Sequence, residues 1–353
     1  CIGYIFWGLF TFLFGATEMI PKNPLFIAAA AVVLADAVMS FFGSVGNDGG
    51  FSPWTTDISN EKNRGKLGGA LAVMPVFATI FGSVVSGILI EMLDFFAFFG
   101  LMGGIVAAVG VLSLFTLEDS PILVPKQDEK GFWHQFLSVF HWKTVRKNQE
   151  LFWVFIVMTV YFVGFNVYFP YITIYFVNYL GYDYGMTGII QGTGLLAASV
   201  LTIPAAKLID KGKMPMVILG ALACNTAGLM LVSVSQMLPI LLMGVFGAGI
   251  GYILVLQTLT AWMKNLYPQE QRGQFEEIKQ IFFVCIPMIA GPAIATPVIN
   301  RLGVEKEVNG VLGMVPAPSL FFISAVLTLF TLIPLLVAAK HSKRRNHVWN
   351  ENC

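Results

Sequence analysis

The chain has 353 residues, of which 56% are hydrophobic and 12% are charged, and its formal net charge is +1. A soluble domain carries about 25% charged residues, and a soluble protein of this composition would expose apolar patches that water does not tolerate. The composition therefore excludes a soluble globular protein. The basic residues form no single soluble face, so nothing indicates nucleic-acid binding.

Apolar segments long enough to cross a bilayer recur along almost the whole chain. A helix needs about 20 mostly apolar residues to cross the hydrocarbon core. Ten predicted spans lie at residues 2–19, 25–52, 67–90, 95–116, 151–178, 186–206, 214–233, 237–263, 280–300 and 318–339. The sequence thus predicts an all-α, polytopic transmembrane helical bundle.

Basic residues are concentrated in every second connection between the predicted spans. Of the 21 Lys and Arg residues, only Lys22, Arg301 and Lys306 lie outside these connections and the C-terminal end. The basic connections are residues 53–66, 117–150, 207–213 and 264–279. Because cytoplasmic loops carry the excess of Lys and Arg, we predict that these loops and the C-terminus are cytoplasmic, in a multi-pass plasma-membrane protein.

Residues 43–65 and 251–273 share one pattern at the same spacing, and each follows a long apolar segment and precedes another. The matching residues are Gly43 and Gly251, Trp54 and Trp262, Arg64 and Arg272, and Gly65 and Gly273. A period of roughly 200 residues is too long for a solenoid repeat and is typical of a membrane protein with two related halves. The repeat pairs spans one to four with spans seven to ten.

Spans five and six have no partner in the first half, so their partners are expected before residue 1, in a parent protein of twelve spans. A true ten-span protein is the alternative. The predicted domains are an N-terminal bundle (1–116, helices three to six of the parent), a cytoplasmic linker (117–150), a six-helix bundle (151–340) and a cytoplasmic tail (341–353). Apolar residues at helical spacing predict an amphipathic surface helix in the linker. They are Trp133, Phe136, Leu137 and Phe140.

Three loop motifs with this charge topology resemble the major facilitator superfamily, and the resemblance covers essentially the whole chain. Residues 268–273 (Pro-Gln-Glu-Gln-Arg-Gly) are similar to its P-x-x-x-R-G loop, and residues 63–65 are the counterpart without the proline. Residues 206–213 resemble its G-x-x-x-D-R-x-G-R loop, with Ala206 in place of the first Gly and one residue fewer. The resemblance implies a secondary transporter, with ion-pair latches at the cytoplasmic gate. The corresponding residues are Asp57, Arg64, Asp210, Lys211 and Arg272.

Two carboxylates interrupt the second span. A charge at the centre of a bilayer costs at least ~2.5–3.5 kcal/mol, so such residues are candidates for a site. Small and polar residues at steps of three and four place a stripe on one face of this span. The stripe comprises Asp36, Ser40, Gly43, Asn47 and Gly50. We predict that this face lines a central cavity in which Asp48 or Asp36, with Asn47, binds substrate or coupling cation.

Asp48 has a second interpretation, in which it anchors the following loop by pairing with Arg64. Asp48 with Phe51, Asp57, Lys62 and Arg64 also resembles the fourth helix and loop of glycoside–pentoside–hexuronide cation symporters. That resemblance implies a role for Asp48 in binding substrate or cation.

The fifth predicted span carries a row of tyrosines. Tyr161, Tyr168, Tyr171 and Tyr175 recur with Gly164 at steps of three and four. Phenol rings could stack on a sugar or a drug; the alternative is helix packing and interfacial anchoring. Pro170 is predicted to kink this helix because it lacks a backbone donor.

Isolated amides and glycines occur in the remaining spans. Asn166, which is expected to face another helix, Gln191 and Gln257 are further candidates for cavity contacts. Gly247 and Gly251 lie four residues apart, a spacing that allows close approach of a neighbouring helix. We predict packing at these two glycines.

The sequence carries none of the P-loop, nucleophile-elbow or H-E-x-x-H motifs, so no enzyme, cofactor or metal site is predicted. The predicted function is secondary active transport of a small organic solute by alternating access, coupled to H⁺ or Na⁺, with a sugar or glycoside favoured. The alternatives are an exporter of amphipathic drugs and a non-transporting membrane sensor. The expected partners are the solute and the lipid bilayer, and the protein is expected to be monomeric.

Overall fold

The computed structural model describes residues 1–21, 23–51, 54–55, 74, 77–78, 81–82, 84–118, 142–268, 275, 278–308 and 311–351. The chain divides into two compact units, Cys1–Gln127 and Asp128–Cys353. The division falls inside the predicted linker 117–150. The predicted amphipathic residues of that linker lie outside the described residues.

The first unit contains α1 (Ile2–Ala16), α2 (Leu25–Gly46) and α3 (Phe95–Thr116). A 3₁₀ turn, Thr17–Met19, follows α1, a π-helical turn, Asn47–Phe51, follows α2, and residues 84–92 are mostly helical. Two carboxylates satisfy two of the free N–H groups at the start of α3, where a negative charge is also favoured by the helix dipole. The Ala97 N–H donates to Asp94 Oδ1 at 2.7 Å, and the Phe96 N–H donates to Glu18 Oε2 at 2.9 Å.

Glycines allow α1 to pack closely against both of its neighbours. A methyl group on Gly8 would lie 2.5 Å from the carbonyl oxygen of Gly103 in α3, and one on Gly3 would lie 2.8 Å from Gly46 in α2. These distances are shorter than any real carbon contact, so the helix backbones touch directly. Small residues at such contacts are how helices associate in a membrane, where the hydrophobic effect does not drive them together.

The second unit is built around one long helix. The unit begins with the short helix α4 (Trp142–Lys147). The long helix comprises α5 (Gln149–Tyr168), a 3₁₀ turn (Phe169–Tyr171), α6 (Ile172–Ile174) and a π-helical turn (Tyr175–Tyr179). Buried residues occur on all sides of α5 because four later helices surround it, namely Leu238–Leu266, Ile286–Leu302, Ser319–Leu329 and Leu332–Glu351. The α-helical pattern of α5 ends at Tyr168, two residues before Pro170, as expected for a residue that lacks a backbone N–H.

The remaining helices of this unit are α7 (Tyr184–Thr202), α8 (Ala206–Asp210), α9 (Met214–Val234), α10 (Leu238–Leu266), α11 (Ile286–Leu302), α12 (Ser319–Leu329) and α13 (Leu332–Glu351). A 3₁₀ turn, Ile203–Ala205, precedes α8, and a π-helical turn, Ile281–Cys285, precedes α11. Two strands, β1 (Val304–Val308) and β2 (Val311–Val315), form an antiparallel hairpin between α11 and α12.

Within the described residues, eight helices are long and apolar enough to cross a membrane. They coincide with all the predicted spans except 67–90 and 186–206. The span 186–206 coincides with α7, and the span 67–90 lies largely outside the described residues. The all-α transmembrane bundle is therefore confirmed.

Three local features are not part of the predicted element pattern. The predicted loop 207–213 is partly helical, because α8 continues to Asp210. The predicted tail 341–353 continues the helix α13 as far as Glu351. The hairpin 304–315 is not predicted. A search for long apolar segments identifies only the spans and leaves the residues between them without assigned secondary structure.

Candidate functional site

Asp36 lies in α2, a helix of 22 residues that is otherwise almost entirely apolar. Its side chain is exposed, and within the part of the chain that the structure describes it makes no hydrogen bond or ion pair. Ser40, one turn further along, is exposed as well. A carboxylate that projects from a membrane-length helix needs water or another protein group beside it, since lipid offers no hydrogen bond.

The other end of the predicted polar stripe packs against α1. Gly43 is buried, and a methyl group there would lie 3.1 Å from the Trp7 ring. Asn47 Oδ1 accepts a long hydrogen bond, 3.4 Å, from the hydroxyl of Tyr4. The stripe thus has a buried position at Gly43 and exposed positions at Asp36, Ser40 and Asn47.

Several predicted residues lie partly or wholly outside the described residues. Asp48 lies in the π-helical turn that follows α2, and Asp210 ends α8, but their side chains lie outside the described part of the structure. Asp57, Arg64 and Arg272 lie wholly outside it. Lys211 is described and exposed, directly after α8.

The tyrosine row of α5 faces α12. Tyr168 packs near Phe321, with ring centres 5.9 Å apart, and Tyr175 contacts the same ring at 4.7 Å. At Gly164 the carbonyl oxygen accepts a 2.6 Å hydrogen bond from Ser324 Oγ. Tyr171 is half-buried against a separate apolar cluster that includes Val167. In this structure the row forms a helix–helix contact.

Two members of the row also contribute to a buried polar group, made of Tyr161, Tyr168, Asn225 and Tyr252. Tyr161 is fully buried, and its hydroxyl makes no hydrogen bond within the described residues. Tyr168 and Tyr252 lie near that hydroxyl. The side chain of Asn225 faces Tyr168, and its Nδ2 donates to the Ala248 carbonyl at 3.2 Å. The group therefore joins α5, α9 and α10.

The predicted amides differ in their surroundings. Asn166 faces α11, because a methyl group on Gly291 would lie 2.5 Å from Asn166 Cβ, so the expectation that it faces another helix is confirmed. Gln191 Nε2 donates to Thr173 Oγ1 at 3.2 Å, which joins α7 to α6. Gln257 is exposed on α10. The structure brings Tyr161 and Tyr168 together and leaves Gln257 apart from them.

A stack of aromatic rings on α5 and α10 is absent from the sequence-based predictions. Phe165 lies between two rings, with centres 4.4 Å from Phe169 and 4.9 Å from Tyr252. The interplanar angles are 24° and 17°, so the three rings are nearly parallel. The four-residue step between Phe165 and Phe169 is the signal that the sequence offers for it.

The repeated tryptophans have a role that their pattern alone does not indicate. The indole N–H of Trp54 donates to the Glu118 carbonyl oxygen at 3.0 Å, and that of Trp262 donates to Glu150 Oε1 at 2.8 Å. Glu118 and Glu150 lie at the two ends of the predicted linker. The equivalent indoles of the repeat therefore hold opposite ends of one connecting segment.

The eight apolar helices and the ionisable and amide groups within them define a polytopic helical membrane protein with polar groups inside its bundles. The family model of the Major Facilitator Superfamily matches residues 1–292, and the chain belongs to that superfamily. The search of curated proteins found no match. Members of the superfamily are transporters, so this chain is a membrane transporter.

Proposed function

We propose that the protein performs secondary active transport of a small organic solute by alternating access, coupled to H⁺ or Na⁺. The observation that carries this proposal is Asp36, an exposed carboxylate on an apolar, membrane-length helix. A bare charge there costs at least ~2.5–3.5 kcal/mol. A bound proton or sodium ion removes most of that cost, so ion binding at Asp36 would permit a conformational change that the empty site resists.

A neutral, hydroxyl-bearing solute such as a sugar or glycoside is the favoured cargo. The buried polar group of the second unit, at Tyr161, Tyr168, Asn225 and Tyr252, consists of phenols and an amide. Such groups donate and accept hydrogen bonds without imposing a charge on the ligand. The resemblance of the region around Asp48 to glycoside–pentoside–hexuronide cation symporters supports the same class of solute, with Asp48 as a second carboxylate of the site.

We also propose that the basic loops lie on the cytoplasmic side of the membrane. A single cysteine introduced at Lys264 is expected to react with an impermeant maleimide only from the cytoplasmic side. One introduced at Glu307 in the hairpin, which is exposed, is expected to react only from the opposite side. Labelling of both positions from the same side would contradict the proposed orientation.

Counterflow of labelled glycosides in proteoliposomes tests the transport proposal. We expect saturable exchange driven by a proton or sodium gradient, and at least a tenfold loss of gradient-driven uptake in Asp36→Asn. The matched control is Glu307→Gln, which removes an exposed carboxylate outside the spans and leaves uptake unchanged. Uptake that does not depend on either gradient, or full uptake by Asp36→Asn, would favour an uncoupled transporter. The absence of any uptake or exchange would favour a membrane sensor.

A further inference from the structure

The last membrane-length helix carries one continuous exposed stripe. α12 and α13 together form this helix, Ser319–Lys343. Side chains at steps of three and four residues, which align on one face of a helix, are exposed along its whole length. We call this set the α12–α13 stripe. Its members are first apolar and then basic: Phe322, Val326, Leu329, Ile333 and Leu336, followed by Lys340 and Lys343.

The opposite face of the same helix packs into the second unit. Ser324 Oγ donates to the Gly164 carbonyl, and Leu335 and Ala338 belong to the apolar cluster that contains Leu151 of α5. Ser342, between the two lysines, is buried as well. This packing leaves the α12–α13 stripe on the outside of the unit, where the surroundings of an apolar membrane-length helix are acyl chains.

The change from apolar to basic side chains matches the thickness of a bilayer. Lys340 follows Phe322 by 18 positions, which is roughly 27 Å along a helix at about 1.5 Å per residue. The hydrocarbon core is about 30 Å thick. A lysine at this level keeps its alkyl stem along the apolar surface and extends its ammonium group to the headgroups.

Neither lysine of the stripe is engaged elsewhere. Within the described residues, Lys340 and Lys343 form no hydrogen bond or ion pair. The helix continues to Glu351, and the two residues that follow Lys343 in the sequence are Arg344 and Arg345. Four basic residues within six positions, directly after an apolar helix, are typical of a segment that binds anionic lipid.

We propose that Lys340 and Lys343 bind the headgroup of an anionic phospholipid whose acyl chains lie along the apolar part of the α12–α13 stripe. The excess of basic residues in cytoplasmic loops accounts for the sign of the charge, but not for its alignment with an exposed apolar stripe. Lys264, in the last turn of α10, lacks that alignment, because Ala261 and Gln257 precede it on its face. The inference goes beyond solute transport, because the ligand is a component of the membrane.

Two lipids with identical acyl chains isolate the effect of headgroup charge. Purified protein in neutral detergent is titrated with dioleoyl phosphatidylglycerol or dioleoyl phosphatidylcholine, and bound lipids are counted by native mass spectrometry. A basic side chain near an anionic surface is worth roughly a fivefold change in affinity, so phosphatidylglycerol should bind at least about fivefold more tightly. The preference should decrease at about 1 M salt, where the screening length is about 3 Å.

Variants assign the preference to the stripe. Lys340→Gln and Lys343→Gln are each expected to lower it, and the double variant should remove most of it while the affinity for phosphatidylcholine stays nearly unchanged. The double variant Lys340→Arg/Lys343→Arg keeps both charges and should retain the preference. Lys264→Gln is the matched control for each single variant, because it removes an exposed charge from the same end of the unit, and it should have little effect.

Each result decides the inference. A preference for phosphatidylglycerol that the double glutamine variant loses and the arginine variant retains supports it. The lipid site is overturned if there is no preference, if the double glutamine variant keeps it, if the arginine variant loses it, or if Lys264→Gln lowers it equally. Glycerol phosphate carries the phosphate without acyl chains. If it displaced phosphatidylglycerol at equal concentration, the lysines would bind a soluble phosphate and the lipid site would also be overturned.

Discussion

The indole N–H of Trp262 donates a 2.8 Å hydrogen bond to Oε1 of Glu150. Trp262 is fully buried near the end of α10, and Glu150 lies in the first turn of α5, so the bond joins the ends of two long helices. A hydrogen bond to a charged group contributes about 1.5–3 kcal/mol. The carboxylate also benefits from its place at a helix N-terminus.

Trp262→Phe is therefore expected to destabilise the second unit by roughly 1–3 kcal/mol, because it removes the donor and leaves Glu150 without that bond. The measurement is thermal unfolding in detergent, with amide hydrogen exchange over residues 148–152. Trp153→Phe, on a partly buried tryptophan of α5, is the control and should have a smaller effect. Glu150→Gln keeps an acceptor oxygen and should be milder than Glu150→Ala; equal effects would contradict this assignment.

Gly228→Ala is expected to be strongly destabilising. The added methyl group would lie 2.4 Å from the backbone nitrogen of Ala248 and 2.5 Å from the carbonyl oxygen of Gly244, so α9 and α10 would have to separate. Overpacking of this kind costs about 1–3 kcal/mol or more. A methyl group on Gly220, in the same helix, would have no neighbouring atom of the described residues within 4 Å, so Gly220→Ala should be neutral or slightly stabilising. The yield of folded protein and its unfolding temperature provide the comparison.

Ser324→Ala should lower stability by about 0.5–1.5 kcal/mol, since it removes the hydrogen bond from Ser324 Oγ to the Gly164 carbonyl. Ser319 is the matched control on the same helix. Its hydroxyl oxygen is buried and forms no hydrogen bond within the described part of the chain, so Ser319→Ala should be neutral or stabilising. Thermal unfolding measures the stability of both variants. A larger loss of stability in Ser319→Ala than in Ser324→Ala would contradict the stabilising role of the Ser324 hydrogen bond.

Lys306→Met is expected to loosen the π-helical turn at the end of the long helix. Lys306 Nζ donates to the carbonyl oxygens of Asn178 at 2.8 Å and Tyr179 at 3.3 Å. A cation at a helix C-terminus is worth about 0.3–1 kcal/mol. Hydrogen exchange at Leu180 and Tyr182, whose amides bond to the carbonyls of the preceding turn, should accelerate severalfold.

Lys306→Arg keeps the charge and should largely restore protection at those amides. Glu307→Gln, in the same strand, should leave it unchanged. Unchanged exchange in Lys306→Met would show that the hairpin does not stabilise this turn.

Residue periodicity predicts helix contacts well where the helix is regular and poorly where it is not. Gly247 and Gly251 are predicted to be packing residues, and both approach α9 closely. Alignment of the row from Tyr161 to Tyr175 on one face requires 3.6 residues per turn throughout. The helix changes to 3₁₀ geometry at Phe169 and to π geometry at Tyr175, and Tyr168 and Tyr171 pack against different apolar clusters.

The aromatic stack and the hairpin are beyond prediction for a different reason. Phe165 and Tyr252 are far apart in the sequence, and each is ordinary in an apolar helix, so only the packing of α5 against α10 reveals their contact. Residues 304–315 mix charged and apolar residues in a short connection. Span prediction is sensitive to long apolar segments and insensitive to a short hairpin between two of them.

The two tryptophan hydrogen bonds fix the two ends of the segment between Glu118 and Glu150. Glu118, held by Trp54, and Glu150, held by Trp262, lie 32 positions apart in the chain. Trp54 acts within the first unit and Trp262 within the second. Each end of the segment is therefore fastened to its own unit, and neither bond depends on the other.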